Sequence, residues 1–597
     1  MKARRPSARR RVGVVAVIAL GVVATGPVAP SAAATVAGAP VNIVAAGGNG
    51  TGKMTVDWDA PASNGGASIT SYAYSISADS GAWSAITSTN STATLKTLSC
   101  TGVSNCRFRI YANNSAGRSA ASTAATGVWS APSEPRSITA TGSGTGTASV
   151  TWTPPSNNGG KALSGYVVER SNDGTAYATV ATAGTAARSA TISCTSATCL
   201  ARVRATNAIG SGTPSDAVPV AWAPPEAPAT HAHLVDGALG RFEISWEPPV
   251  STGGLTVTGY QHATCASTVS ACQTGTATFG STTSVSASAR VIPVTCGSLS
   301  AAGCGSYRVR AVTSAGPGPW SAVAGTSGFA TVFADEFSGT TLDSSKWAVE
   351  HSTYGDGNNS LQCSTPRPEN VFVAGGTLTL RARKETTPYA CPGETRTTFL
   401  NAGGRTYTSG HIWTKNKFSS TYGTYEIRAK LPTQAATSKG MWPAFWMRPT
   451  SDFYGDSRSG EIDILEAIGS GATGTSYDEA VQTLHYNYAA SGTAARRTNT
   501  YTLPGGARPA DGYHTYSVSW TPGELRWYVD GAMVMVTNRA TNNWTVPSGA
   551  TWPAPFDRPF YLIVNLAVGG DWPGSPDAAT AFPADYGIDS VRVWQQG

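Results

Sequence analysis

Charge is scarce in this 597-residue sequence, in which Asp, Glu, Lys and Arg together make up 13%. The formal net charge of +7 comes almost entirely from Lys2, Arg4, Arg5, Arg9, Arg10 and Arg11, which have no acid among them; the remainder carries 36 bases and 35 acids. Without a basic excess outside that short segment, nucleic acid is not the expected partner. Long apolar runs are missing after Val23, so nothing downstream reads as a membrane span. A helical period of useful length is missing as well. The ten cysteines include no Cys-x-x-Cys and have no His at zinc-ligand spacing beside them, which argues against a zinc site.

What is present begins with those six bases, followed by an apolar run over 12–23 and by Ala32, Ala33 and Ala34 ahead of Thr35. This order is that of a secretory signal covering 1–34. The consecutive Arg9, Arg10 and Arg11 also allow a twin-arginine reading, but the cysteines favour folding outside the cell and hence the general route. A secreted, extracellular, monomeric chain is expected. Abundant Gly, Thr, Ser, Ala and Val predict an all-β protein. The cysteines fall into five neighbouring pairs: Cys100 with Cys106, Cys194 with Cys199, Cys265 with Cys272, Cys296 with Cys304, and Cys363 with Cys391. Local disulfides in an oxidising compartment are the expected outcome.

Self-comparison reveals three repeats, because Trp58, Trp152 and Trp246 are spaced by 94 residues in matching surroundings. Each Trp closes a short alternating strand that prolines stop. A glycine pair follows (Gly65 and Gly66, Gly159 and Gly160, Gly253 and Gly254), then a tyrosine (Tyr72, Tyr166, Tyr260). A basic alternating strand starts at Arg107, Arg202 and Arg308 and runs into a glycine turn. Units of this size with short strands and one buried Trp predict β-sandwiches over 35–131, 132–225 and 226–328. Their pattern resembles fibronectin type III domains, in which case the modules are spacers or weak binders. The three tryptophans are read as core in preference to sugar platforms. The cysteine pair before each basic strand is unusual for that family and is read as a staple.

The texture changes over 329–597, which holds ten of the 17 tryptophans and 24 of the 35 acids. Alternation over 423–431, 513–520 and 525–529 predicts a large two-sheet sandwich. Its informative segment is Glu461-Ile-Asp-Ile-Leu-Glu466. In a regular strand Glu461 and Asp463 share one face, whereas Glu466 would fall beside the core-facing isoleucines, at a cost of several kcal/mol. A β-bulge at Ile464 and Leu465 removes the conflict and returns Glu466 to the face of Glu461 and Asp463. Paired carboxylates are what glycoside hydrolysis requires, since crowding of like charge lets one hold a proton while the other stays ionised. A solvated acidic face or a calcium site is the alternative for these three residues alone.

The surroundings favour carbohydrate chemistry. Alternation over 441–447 sets Trp442 and Trp446 on one face about 13 Å apart, suited to stacking on sugar rings. His485 and Asn487 share a face suited to hydroxyl contacts, and a glycine-flexed loop over 569–574 presents Trp572. These segments, with Phe333-Ala-Asp-Glu-Phe337, Tyr407-Thr-Ser-Gly410, Asn565-Leu-Ala-Val-Gly-Gly570 and Ser590-Val-Arg-Val-Trp594, resemble glycoside hydrolase family 16. The resemblance implies a concanavalin-like jelly roll with a cleft on its concave sheet. It also implies a retaining mechanism, with Glu461 as nucleophile, Asp463 as assisting acid and Glu466 as general acid/base. The bulged form is similar to laminarinase-like members that cut internal β-1,3-glucosidic bonds, so a β-glucan is the expected partner.

Ser360, Cys363 and an apparent insertion over 390–405 depart from that pattern and leave a galactan open as substrate. A non-catalytic glucan-binding protein on the same fold is the other alternative. No cofactor is needed for the chemistry. Many members of the family bind a structural calcium, for which the matching positions are Glu336, the Gly376 carbonyl and Asp589, with plain surface carboxylates as the competing reading.

Overall fold

The computed structural model describes residues 33–297, 299, 304–451, 459–469, 477–488, 494–541 and 543–596. The expected signal therefore falls almost wholly outside the described residues. By compactness the chain divides into two units, one of 1–139, 150–190 and 200–218, the other of 140–149, 191–199 and 219–597. Strand dominates both. The α-helices among the described residues, Val269–Gln273 and Thr397–Asn401, have five residues each. No helix among the described residues is long and apolar enough to cross a membrane.

In the first repeat Lys53–Asp59 lies between Val41–Gly47 and Leu95–Ser99, while Ser71–Ala78 and Cys106–Asn114 are the central strands of a second sheet. Period-two alternation turns Met54, Val56 and Trp58 inward against Tyr72, Phe108 and Ile110. The same ring pair recurs in every repeat: Trp58 with Tyr72, Trp152 with Tyr166 and Trp246 with Tyr260, with centroids 5.4, 5.2 and 5.5 Å apart. All three tryptophans are buried, so they build cores and do not face sugar. The glycine pairs recur because both members hold positive φ, 68° and 79° at Gly65 and Gly66, where a Cβ would be strained. All five cysteine pairs are bonded as the spacing suggested.

The final block is a two-sheet sandwich. Among the described residues one sheet has ten strands, including Phe329–Asp335, Thr377–Tyr389, Gly423–Lys430, His514–Thr521, Glu524–Val529, Ala532–Asn538 and Ala584–Gln596. The turn at Asp530 and Gly531, with φ of 48° and 77°, closes the tight hairpin that the Asp-Gly pair predicts. The other sheet has seven among the described residues: β1 (Ala348–Val349), β2 (His411–Trp413), β3 (Met441–Pro449), β4 (Glu461–Glu466), β5 (Glu479–Tyr488), β6 (Ala494–Thr502) and β7 (Phe560–Val568). Its order is β1-β2-β7-β3-β4-β5-β6. Phe445, Met447, Ile462 and Leu465 of this sheet pack against Tyr425, Val518, Trp520, Trp527 and Val593 of the other. The core between the sheets thus fixes which faces of β3 and β4 look outward.

The second unit also contains a polar joint between the third repeat and the ten-stranded sheet. His233 bonds Ser519 at 3.0 Å and Glu524 at 2.8 Å, and Ser245 donates to Glu524 at 2.6 Å. Arg526 reaches Glu243 at 3.0 Å, and Tyr528 donates to the same carboxylate at 3.1 Å. Beside it Trp594 packs with Leu234 and Phe242.

Candidate active site

The bulge lies where the sequence required it. Across β3, Ala444 faces Glu466, Phe445 faces Leu465 and Trp446 faces Asp463. Across β5, Asp463 faces Thr483 and Glu466 faces Val481, so Ile464 and Leu465 together oppose Gln482. Both apolar residues of the bulge go to the core, and Glu461, Asp463 and Glu466 line one cleft of about 1110 Å³.

The three acids sit in different environments. Asp463 is the deepest, and Trp527 of the opposite sheet donates to its backbone carbonyl at 3.0 Å. Burial pushes the Asp463 carboxyl well above the usual range, with Arg496 pulling the other way. Burial likewise pushes Glu466 up, and the charges of Asp463 and Glu461 add to it. Trp442 donates its indole N–H to Glu466 Oε1 at 3.0 Å. Glu461 instead has Arg448 Nε 4.0 Å from Oε2 and His485 Nε2 3.7 Å from Oε1. His485 Nε2 also lies 3.1 Å from Asp463 Oδ2, and burial lowers the imidazole pKa. One carboxylate therefore stands beside a permanent cation while another is held protonated, the asymmetry that acid catalysis and nucleophilic attack need together. Glu461, Asp463 and His485 are also close enough to share a cation, the other chemistry the triplet allows.

Trp442, Trp446, His485 and Trp572 all line this cleft. Trp572 stands edge-on to Trp442 with centroids 5.3 Å apart, and Trp446 donates to Asn565 at 2.7 Å. Asn487 lies on β5 opposite Ala495, with its side chain outside the described residues. Sequence reasoning missed Tyr354, Arg448, Arg496 and Asn565, which share the cleft. Arg448 was within reach, since one more step of the β3 alternation puts it on the face of Trp442 and Trp446. Tyr354 and Arg496 carry no local signal.

One cleft wall, 357–362, is braced by the loop over 390–405. The Cys363–Cys391 bond anchors the loop, and buried Arg405 pairs with Glu394 and donates to the Gln362 carbonyl at 2.7 Å. Arg396 donates to the Ser360 carbonyl at 3.2 Å. Beyond the wall, Asn359 donates to Asp571 at 2.9 Å, and the Asp571 N–H reaches the Asn358 carbonyl at 2.9 Å, beside Trp572.

The residues matched to a structural calcium do not fit one as placed. Glu336 forms a two-pronged pair with Arg592, with both contacts at 2.7 Å. Asp589 pairs with Arg428 at 2.7 Å. Gly376 occupies a turn with φ of 76°. Each carboxylate is already neutralised by a guanidinium, which favours the competing reading of surface ion pairs.

The pattern of glycosyl hydrolases family 16 matches residues 358–586. The glucan endo-1,3-beta-glucosidase A1 of Niallia circulans is 38% identical over 287 residues, which is 45% of this chain and 38% of that protein. The chain thus spans well under half the length of that relative. The beta-glucanase of Rhodothermus marinus is 38% identical over 274 residues, 44% of this chain and 84% of that protein. Among solved structures, the laminarinase from Rhodothermus marinus is 35% identical, covering 45% of this chain and 98% of its own, with a TM-score of 0.37.

Proposed function

Because the chain belongs to glycosyl hydrolases family 16, we propose that it is a secreted, retaining endo-glycosidase that cuts internal β-1,3-glucosidic bonds of a laminarin-type glucan. The observation that carries this reading is the bulged triplet, with Glu466 held protonated by burial and Glu461 beside Arg448. Glu461 attacks the anomeric carbon while Glu466 gives its proton to the leaving oxygen. Glu466 then takes a proton from water as that water displaces Glu461. Asp463, between them, is the assisting acid, and its charge helps to raise the Glu466 carboxyl. Trp442, Trp446 and Trp572 supply ring faces and edges for the sugar units. The Niallia circulans relative is a glucan endo-1,3-beta-glucosidase by name, and the bulged triplet, which resembles the laminarinase-like form, supports carrying that linkage over. The three repeats are read as fibronectin type III-like spacers on a monomeric chain that needs no cofactor for its chemistry.

A β-1,3-galactan or agar-type polysaccharide is the second reading, favoured by Ser360 and the braced insertion at the cleft wall. A non-catalytic glucan binder is disfavoured because all three acids are present. Incubation with laminarin, lichenan, agarose and β-1,3-galactan, with products identified, separates the substrates. Laminarin should release reducing oligosaccharides whose first-formed anomer is β by ¹H NMR. Glu461→Gln should abolish the release; normal hydrolysis by that variant would sink the assignment.

A further inference from the structure

Outside the cleft, where the third repeat meets the ten-stranded sheet, His231, Glu247 and Glu524 each offer one ligand atom within 4.8 Å of the others. His231 lies on Thr230–Asp236, Glu247 follows Arg241–Trp246, and Glu524 opens Glu524–Val529. The hydrogen bonds around His231 define its tautomer. Thr521 Oγ1 gives its only proton to the Glu524 backbone carbonyl at 3.1 Å. It must therefore accept at 3.1 Å from His231 Nδ1, which places the ring proton there and leaves Nε2 as a bare lone pair. Nε2 is sealed from solvent and has no hydrogen-bond partner.

Glu524 brings negative charge to this spot, and Glu247 brings a second carboxyl group. Glu524 accepts from His233, Ser245 and Arg526 on one oxygen and from Asn538 on the other. Burial opposes its ionisation, but those bonds and charges outweigh it and hold the carboxyl well below its usual range. Glu247 is pushed up to about 7 by burial and by the charge of Glu524. Two guanidinium-bearing residues are nearby. Arg526 is shared between Glu524 and Glu243, Arg539 gives its backbone N–H to Glu247, and neither satisfies His231 Nε2. The His231 Nε2 lone pair is thus left unsatisfied in a cluster with two carboxyl groups, and a cation in their midst would serve all three.

We propose that His231 Nε2, Glu247 and Glu524 bind one divalent cation of the zinc class, which fastens the third repeat to the catalytic sandwich. One imidazole nitrogen and two carboxylate oxygens, with a fourth position for water, suit zinc, whereas the nitrogen ligand disfavours calcium and magnesium. The Nδ1–H to Thr521 bond is the outer-sphere contact that orients such a ligand. The site is structural and independent of the reading of the cleft.

The test is calorimetric titration of zinc chloride into the metal-stripped full chain, with thermal melts alongside. The expected result is a saturable event that His231→Ala removes and the near-isosteric Glu247→Gln weakens at least ~10-fold. It should persist in Glu461→Gln, which separates it from any cation held in the cleft. Zinc should raise the Tm of the parent and not of His231→Ala, and calcium should not raise it. Cooperative melting of both variants without metal checks that they fold. Absence of binding to the parent would overturn the proposal, as would binding unchanged by both substitutions or lost in Glu461→Gln.

Discussion

Trp442 gives its indole N–H to Glu466 Oε1 across 3.0 Å, so a residue that lines the cleft also tunes the carboxyl we assign as the acid. Burial and the neighbouring acids raise Glu466, whereas this hydrogen bond favours the ionised form and lowers it. Glu466 works protonated, so activity is lost as pH rises through its pKa. Trp442→Phe keeps a ring for stacking and removes the donor. The alkaline limb of the kcat/KM profile on laminarin should therefore move up by as much as about 1 pH unit. An unmoved or lowered limb would count against the assignment of Glu466.

The brace on the cleft wall should be felt in binding more than in chemistry. Arg405 and the Cys363–Cys391 bond hold 357–362, which in turn fixes the loop of Asp571 and Trp572. Cys391→Ser and Arg405→Met should raise KM for long oligosaccharides several-fold. The kcat should change less, because Glu461 and Glu466 stand on β4, away from the brace. Steady-state kinetics on a ladder of chain lengths measures the split.

Two ion pairs on the ten-stranded sheet should differ sharply in worth. Glu524 and Arg526 are buried in the polar joint, so Glu524→Ala leaves a guanidinium poorly compensated and should cost about 3–5 kcal/mol by denaturant unfolding. Asp589 and Arg428 are exposed, so Asp589→Ala should cost about 0–1 kcal/mol. A chain cut to 226–597 keeps the joint, whereas 329–597 loses it and should melt at lower temperature.

Acid should weaken the same joint. Burial holds His233 neutral, with its pKa lowered to about 4 against Glu524, which raises it. A histidine with a depressed folded pKa contributes stability above its unfolded pKa of about 6.5 and loses it as pH falls toward the folded value. That loss should be on the order of 3 kcal/mol between pH 7 and pH 4. His233→Gln removes the titrating group, so its unfolding free energy should fall less over that interval than the parent's. Equal falls would show that His233 does not carry the acid sensitivity.

The site was legible in the sequence wherever a local rule was broken. Glu466 could not stay beside Ile462 and Ile464 in a regular strand, and that conflict alone required the bulge. Trp442 and Trp446 followed from alternation, as Arg448 would have one step later. Tyr354, Asn565 and Arg496 reach the cleft from β-strands and loops distant in sequence, so no window contained the reason for their presence. The calcium positions illustrate the converse. Glu336 and Asp589 match in type, yet Arg592 and Arg428 lie across neighbouring strands and take up their charge.

By itself, the sequence determined whatever a strand's two-residue period and a short spacing record. This includes the three Trp–Tyr repeats, the five cysteine pairs, the all-β sandwiches and the outward stripe of carboxylates. Tertiary structure alone decided the charge state of those carboxylates, because burial of Asp463 and Glu466 depends on packing between sheets. It alone also brought His231, Glu247 and Glu524 together. His231 and Glu524 lie on separate strands and Glu247 just past the end of a third, so only inter-strand register and the docking of the third repeat on the sandwich set the distances over which lone pairs and charges act.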